Sequence, residues 1–317
     1  MSLSHCTEPR ACKTIQSIHP QRKIRHALTL LELIVSLGIL AILSTIAVRS
    51  LDPIADQSRF EATQRVLESM RLATIGDSNI RQLNGQRILE GFVADTGSFP
   101  SDPDDLVVQP VGMISHSIQT FDSNNDSIDD VSLSSGWRGP YLQLGVGQSN
   151  IVDGWGRPLT ITAGAGTVNF QSTGSDGDSI LPEDGYASDL SIAISNSEFE
   201  STVTFRLFDI DGITGLRIIP SLLGLQQSGI LLYCVNGNGG TSGAVEEVMI
   251  PVGPSGSFEA TKTDLVHGTA AARGVIWLDL NLNDQLDVGE LIARTTYVHY
   301  FTVTSNSDVR IEMELRL

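Results

Sequence analysis

LTLLELIVSLGILAILSTIAV, residues 28–48, carries one charge, Glu32, in 21 positions. As a helix this run is about 30 Å long, close to the hydrocarbon thickness of a bilayer. The basic patch QRKIRH (21–26) precedes it. Positive charge on that side keeps the N-terminus cytoplasmic and sends the remainder across. A secretory signal peptide fits less well, because the run is longer than a usual apolar region and no small-x-small cleavage site follows. A generic anchor leaves Glu32 unexplained, since a carboxylate inside a span is costly and usually functional.

His26-Ala27-Leu28-Thr29-Leu30-Leu31-Glu32-Leu33 resembles the cleavage and methylation signal of type IV pilins and type II secretion pseudopilins. The resemblance implies cutting by a prepilin peptidase between Ala27 and Leu28, with methylation of the new Leu28 amino group. It makes Glu32 the fifth mature residue, the family's assembly acid. A buried carboxylate needs a partner, and the amino terminus of a neighbouring subunit supplies one, so Glu32 would set axial register in a filament. Ala27 stands where the family carries Gly. Partners implied are other pilin or pseudopilin subunits, the peptidase and an inner-membrane assembly platform. The location implied is the bacterial inner membrane, single-pass, with the C-terminal part periplasmic or on a cell-surface filament.

Moving outward, Phe60, Thr63, Leu67, Met70 and Thr74 recur at three- and four-residue steps, with Arg59, Glu61, Arg65 and Glu68 between them. That is an amphipathic helix face, interrupted by Pro53, which removes one backbone bond. The reading is a leader (1–27), a long N-terminal helix (28–78, transmembrane part 28–48), a head (79–196) and a C-terminal β-domain (197–317). Three runs in the head resemble the major pseudopilin: GWRGPYL (136–142), DGWGRPL (153–159) and STGSDG (172–177). Trp137, Tyr141 and Trp155 read as core aromatics. That family binds one calcium ion in the loop after its last head strand. The resemblance makes Asp176 and Asp189 the carboxylate ligands, with Asp184 in place of a missing acid and carbonyls near Ser172 and Gly174. The acidic run Asp122–Asp130 lacks the glycine and terminal glutamate of a calcium loop and reads as a plain insertion.

Beyond residue 196 the resemblance stops. Strands are expected at 201–208, 216–220, 230–235, 245–252, 274–280, 295–303 and 309–315. Alternation is clearest in VRIEMEL (309–315), with Val309, Ile311, Met313 and Leu315 inward. Seven strands at this spacing suggest a sandwich. Asp279, Asn281, Asn283, Asp287 and Glu290 occupy positions 1, 3, 5, 9 and 12 of a twelve-residue loop, and Gln285 offers its carbonyl at position 7. That pattern matches EF-hand-type calcium ligation, although Asp284 replaces the glycine at position 6. A tight Asn/Asp turn without metal is the alternative. Cys234 sits in an apolar strand and reads as a small buried hydrophobe.

Twenty Lys and Arg against 37 Asp and Glu give a net charge of −17 over 317 residues. Residues 1–27 are net +4, so the remainder is −21. This excludes a nucleic-acid coat, which needs a positive surface. No G-x-S-x-G, H-E-x-x-H or phosphate-binding G-K-[ST] is present, and no enzymatic activity is expected. The fold class read is α+β: a long hydrophobic N-terminal helix packed on a small β-sheet head, followed by an all-β, sandwich-like domain. The function expected is that of a structural subunit of a type II secretion pseudopilus or type IV pilus-like filament, holding one or two calcium ions. The alternative is a membrane-anchored binding or adhesion module on a pilin-like stem.

Overall fold

The structure is a computed structural model in which residues 29–77, 91–123, 129–164, 167–179, 185–218, 226–235, 243–252, 258–283, 286–287, 290–294, 297–304 and 308–315 are described. The chain divides into two units, Met1–Pro53 and Ile54–Leu317.

Helix α1 (Leu30–Ile75) begins in the first unit and contains Pro53. Its start is chemically marked. The Thr29 hydroxyl accepts the Glu32 N–H at 3.3 Å, and the Thr29 carbonyl accepts the Leu33 N–H at 3.1 Å. The first satisfies a donor that a helix leaves open at its first turn, and the second is the first regular bond of the helix. Ser36, Ser44 and Thr45 return their hydroxyls to carbonyls four residues back, so no polar group protrudes unbonded from these positions. Leu30, Leu31, Leu33, Ile34, Val35, Leu37, Ile39, Leu40, Ile42 and Leu43 are each at least half exposed, which makes this part of the helix apolar on all sides. Among the described residues, however, no helix is long and apolar enough to cross a membrane. The expected span includes residue 28 and the side chains of 46–48, which lie outside the description. From Asp52 onward α1 carries charged, exposed side chains, so the helix as a whole is not the long hydrophobic one expected from sequence.

In the second unit, the Ile54–Ile75 part of α1 buries Thr63, Leu67, Met70, Ala73 and Thr74. It meets the short helix α2 (Phe92–Thr96) and an antiparallel sheet. A hairpin of β1 (Ser117–Phe121) and β2 (Val131–Ser135) lies between α2 and that sheet in the chain. The sheet is β3 (Thr160–Gly164), β4 (Thr167–Ser172) and β5 (Leu190–Ser195), in that order. Val168 and Phe170 of β4 and Ile194 of β5 share a core with Leu67, Met70, Phe92 and Phe199. Thr63 donates back to the Arg59 carbonyl at 3.0 Å and accepts the Gly154 N–H at 2.9 Å. A side chain at Gly154 would collide with that carbonyl, so the DGWGRPL run touches the helix backbone through its glycine.

The remaining strands form two facing sheets. One has order β10-β6-β14, from β6 (Glu200–Ile210), β10 (Glu259–Val266) and β14 (Val309–Leu315), with β7 (Arg217–Ile218) on the end of β6. The other has order β12-β11-β8-β9, from β8 (Gln226–Val235), β9 (Val245–Val252), β11 (Gly268–Leu278) and β12 (Leu291–Arg294); β13 (His299–Val303) also pairs with β11. All pairings are antiparallel except β14 with β6. Val203, Phe205 and Met313 from one sheet meet Ile230, Leu232, Ala272 and Ile276 from the other. The second sheet's outer face is covered as well. Val131 and Leu133 of β2 pack on Leu231, Tyr233, Ala271, Val275 and Trp277, which is why β8 is buried continuously from Ser228 to Val235. The architecture is α+β. The chain on either side of residue 196 contributes to this last core, within one compact unit.

Candidate functional site

Ala27 and Leu28, the expected cleavage pair, lie outside the described residues. Glu32 is exposed in the first turn of α1. Thr29-x-x-Glu32 is a helix-start pattern, and an acid in the first turn also faces the positive end of the helix dipole. Local chemistry therefore accounts for Thr29.

The loop after β4 is organised around Asp153, which is 5% exposed. Its Oδ1 accepts the N–H groups of Trp155 (2.9 Å) and Arg157 (2.8 Å), and its Oδ2 accepts the Ser172 hydroxyl at 2.7 Å. Of the expected ligands, Asp176 is exposed and accepts the Asp178 N–H at 3.4 Å. Asp189 accepts the Gln171 side-chain amide at 2.6 Å. Asp184 lies outside the described residues.

The loop after β11 gathers the other expected ligands. Asp279 and Glu290 are 1% and 7% exposed. Asp279 Oδ1 accepts the Asn283 N–H at 3.1 Å, while Asn281 and Asn283 both donate side-chain amides to Asp287 Oδ2, at 2.6 and 2.9 Å. Glu290 closes the loop with both oxygens, accepting the N–H groups of Leu280 and Asp287 at 3.0 Å each. The 279–290 spacing thus brings Asp279, Asn281, Asn283, Asp287 and Glu290 into one hydrogen-bonded turn; Gln285 lies outside the described residues. Among the described residues, no group of three or more His, Cys, Asp or Glu side chains is placed to hold a metal ion.

Several polar residues that sequence reasoning passed over organise the structure. Arg273, 5% exposed, donates to Asp130 and Ser123. Burial pulls the Asp130 carboxyl upward, but the Ser123 bonds and the Arg273 guanidinium outweigh it and hold it below the usual range. Asp95 is bonded by Arg138 Nε at 3.1 Å and Tyr141 Oη at 3.0 Å, and burial raises its pKa despite both. Nothing in the sequence marks these partners, because each pair is more than 40 positions apart. Trp137 donates Nε1 to the Asp105 carbonyl at 3.1 Å and stacks edge-on with Tyr141, as expected of core aromatics. Cys234 is buried, and its thiol is pushed up to about 11 by desolvation, which leaves it a protonated hydrophobe.

Residues 22–48 match the family model described as the prokaryotic N-terminal methylation motif. No curated protein and no solved structure matches the chain.

Proposed function

We propose that this chain is a pilin-like structural subunit, cut by a prepilin peptidase between Ala27 and Leu28 and assembled into a pseudopilus or type IV pilus-like filament. The observation that carries the reading is the methylation motif over residues 22–48. The all-round apolar surface of α1 between Leu30 and Leu43 supports it. Such a surface is stable only in lipid or against other apolar helices. The chain would wait in the inner membrane, N-terminus inward, and enter the filament through that helix. Glu32, exposed at the helix start, would take as its partner the methylated amino group of Leu28 in a neighbouring copy. A carboxylate moved into an apolar filament core without that charge would be strongly disfavoured, so the pair fixes the axial step between subunits.

Calcium belongs to the same proposal at one loop. The oxygen groups of Asp279, Asn281, Asn283, Asp287 and Glu290 suit a hard cation in type and number. Bound there, the ion would supply positive charge between buried carboxylates. The chain's own residues already hold the turn, with Glu290 closing it across Leu280 and Asp287.

The test is co-expression with a prepilin peptidase, followed by mass spectrometry of the N-terminus and by filament assembly. The expected product begins at N-methyl-Leu28. Glu32→Ala is expected to be cut and to fail to enter filaments. A product cut after residue 48, or assembly of Glu32→Ala at the normal level, overturns the reading.

A further inference from the structure

We propose that the turn between β6 and β7 of one copy seats in a groove beside α1 of a second copy, the groove lying wholly within the second unit. The turn displays what a soluble surface normally hides: Ile213 is 96% exposed and Leu216 65%. The turn is nonetheless rigid. Asp211 Oδ1 accepts the Ile213 N–H at 3.0 Å, its Oδ2 accepts the Thr214 hydroxyl at 2.6 Å, and its carbonyl accepts the Gly215 N–H at 2.7 Å. The Asp211 N–H donates to Leu216 O at 3.0 Å. The Thr214 and Ile213 bonds hold the Asp211 carboxyl below the usual range, so a full negative charge stands beside the apolar tip. The nearby cation is already taken, since Arg217 bonds Glu312 and lies 4.3 Å over the Phe208 ring. The tip is therefore apolar with an acidic collar.

The groove is its converse. It encloses about 390 Å³ between α1 and residues 142–154. On α1, Ala62, Val66 and Ser69 follow one another at four- and three-residue steps and so share a face; the two short side chains flank Val66 and leave a hollow. Leu142, Leu144 and Ile151 line the opposite wall. That wall is held in place, with the Leu142 N–H on Leu106 O and the Ile151 N–H on Asp104 Oδ1, each at 3.2 Å. Arg65 stands exposed at the rim. The acids near it on α1 are engaged elsewhere, Glu61 by the Gln57 amide at 3.1 Å and Glu68 by Arg71 at 3.4 Å. Asp153, the acid lining the groove, is bound inward by Trp155, Arg157 and Ser172. Among the described residues Arg65 thus keeps an unpaired charge. Each surface supplies what the other lacks: apolar side chains for an apolar hollow, carboxylates for a guanidinium. Both are pre-formed, so seating orders little. Tip and groove are different surfaces, so the contact is heterologous, and repeated from copy to copy it builds an open line. Two side chains make a weak contact alone; copies already joined through their apolar helices raise its effective concentration. For that setting the inference rests on the filament reading.

The experiment is disulfide trapping between two differently tagged preparations of the full chain in detergent, both carrying Cys6→Ser and Cys12→Ser. One carries Ile213→Cys and the other Leu144→Cys. Mild oxidation accumulates even a short-lived contact as a covalent pair. The control partner carries Val111→Cys, at a position that is 106% exposed and outside the groove. The mixed Ile213–Leu144 disulfide is expected at about tenfold the control yield, because seating raises the local concentration of the two thiols. Arg65→Glu in the groove copy is expected to remove that excess. Gly212→Lys in the tip copy, where a side chain meets nothing within 4 Å, is expected to restore it against Arg65→Glu. A yield equal to the control, an excess that Arg65→Glu leaves in place, or no recovery with Gly212→Lys overturns the inference. Detergent covers the apolar part of α1 and Glu32 takes no part in the readout. Failure here therefore leaves the processing and Glu32 tests standing, and their failure leaves this one decided on its own result.

Discussion

His267 is 3% exposed and stands edge-on to Phe199, ring centroids 6.2 Å apart. Its backbone N–H donates to Phe199 O at 2.6 Å, which ties the junction of β10 and β11 to the residue just before β6. Burial pushes its pKa down to about 4, because the charged ring loses its hydration there. The sign of the pH effect follows. Above about 6.5, its ordinary value, the ring is neutral folded and unfolded, and the pH has no hold on it. As the pH falls from there toward 4, only the unfolded chain takes up the proton, and stability is lost. A shift of this size bounds the loss at about 3 kcal/mol. Urea denaturation at pH 7 and pH 4.5 is expected to show a drop that His267→Phe largely removes; an equal drop in both proteins would assign the acid sensitivity to carboxylates such as Asp130.

At the scale of elements, what the sequence discloses depends on how local the pattern is. In β14, Ile311, Met313 and Leu315 are inward, as the alternation of VRIEMEL predicts. The face of α1 that buries Thr63, Leu67, Met70 and Thr74 was equally legible from its spacing. β10 was not. Its register shifts between Lys262 and Leu265, so a bulge breaks the two-residue period on which the reading depends. The first half of β11 is Gly-Thr-Ala-Ala-Ala, whose alanines carry no strand signal, yet Ala270, Ala271 and Ala272 are buried between two packed layers. Strand identity there is imposed by β8 on one side and β13 on the other. The β11 loop was legible because calcium-type spacing is itself local. There, calcium is expected to raise the Tm of the unaltered chain by mass action, and Glu290→Gln to abolish the rise, as read by melting with and without chelator. The bond from Arg273 to Asp130 spans 143 positions and leaves no local trace. Its two ends differ, with side chains 6% and 26% exposed. Asp130→Ala removes the charged partner of a buried guanidinium and is expected to cost about 3 kcal/mol, whereas Arg273→Met, which leaves the more exposed partner within reach of water, costs less. Denaturant melts of the two variants decide the order.

At the scale of the molecule, the two units present opposite surfaces to water. The described helix residues before Pro53 expose leucines and isoleucines throughout, while Ile54–Leu317 buries its apolar groups in contiguous cores. Within that second unit the cores cannot be separated cheaply. Tyr233 and Trp277 face β1 and β2, not water. Arg273 reaches across to Asp130, and the Gly243 N–H donates to Thr96 O at 3.0 Å. The Ser132 N–H donates to Tyr300 Oη at 3.1 Å. If the sandwich unfolded alone, β1 and β2 would lose the surface they cover. If the head unfolded alone, two of the largest aromatic side chains would be uncovered, at about 25 cal/mol for each Å² of apolar area exposed. Either half-unfolded state carries a cost that the fully folded and fully unfolded states avoid. A fragment beginning at Ile54 is therefore expected to unfold in a single calorimetric transition, with equal calorimetric and van't Hoff enthalpies. Removing β1 and β2 is expected to expose Tyr233 and Trp277, lower the Tm and split the transition. Two transitions in the intact fragment would mean that the shared layer transmits no stability between the sheets it joins.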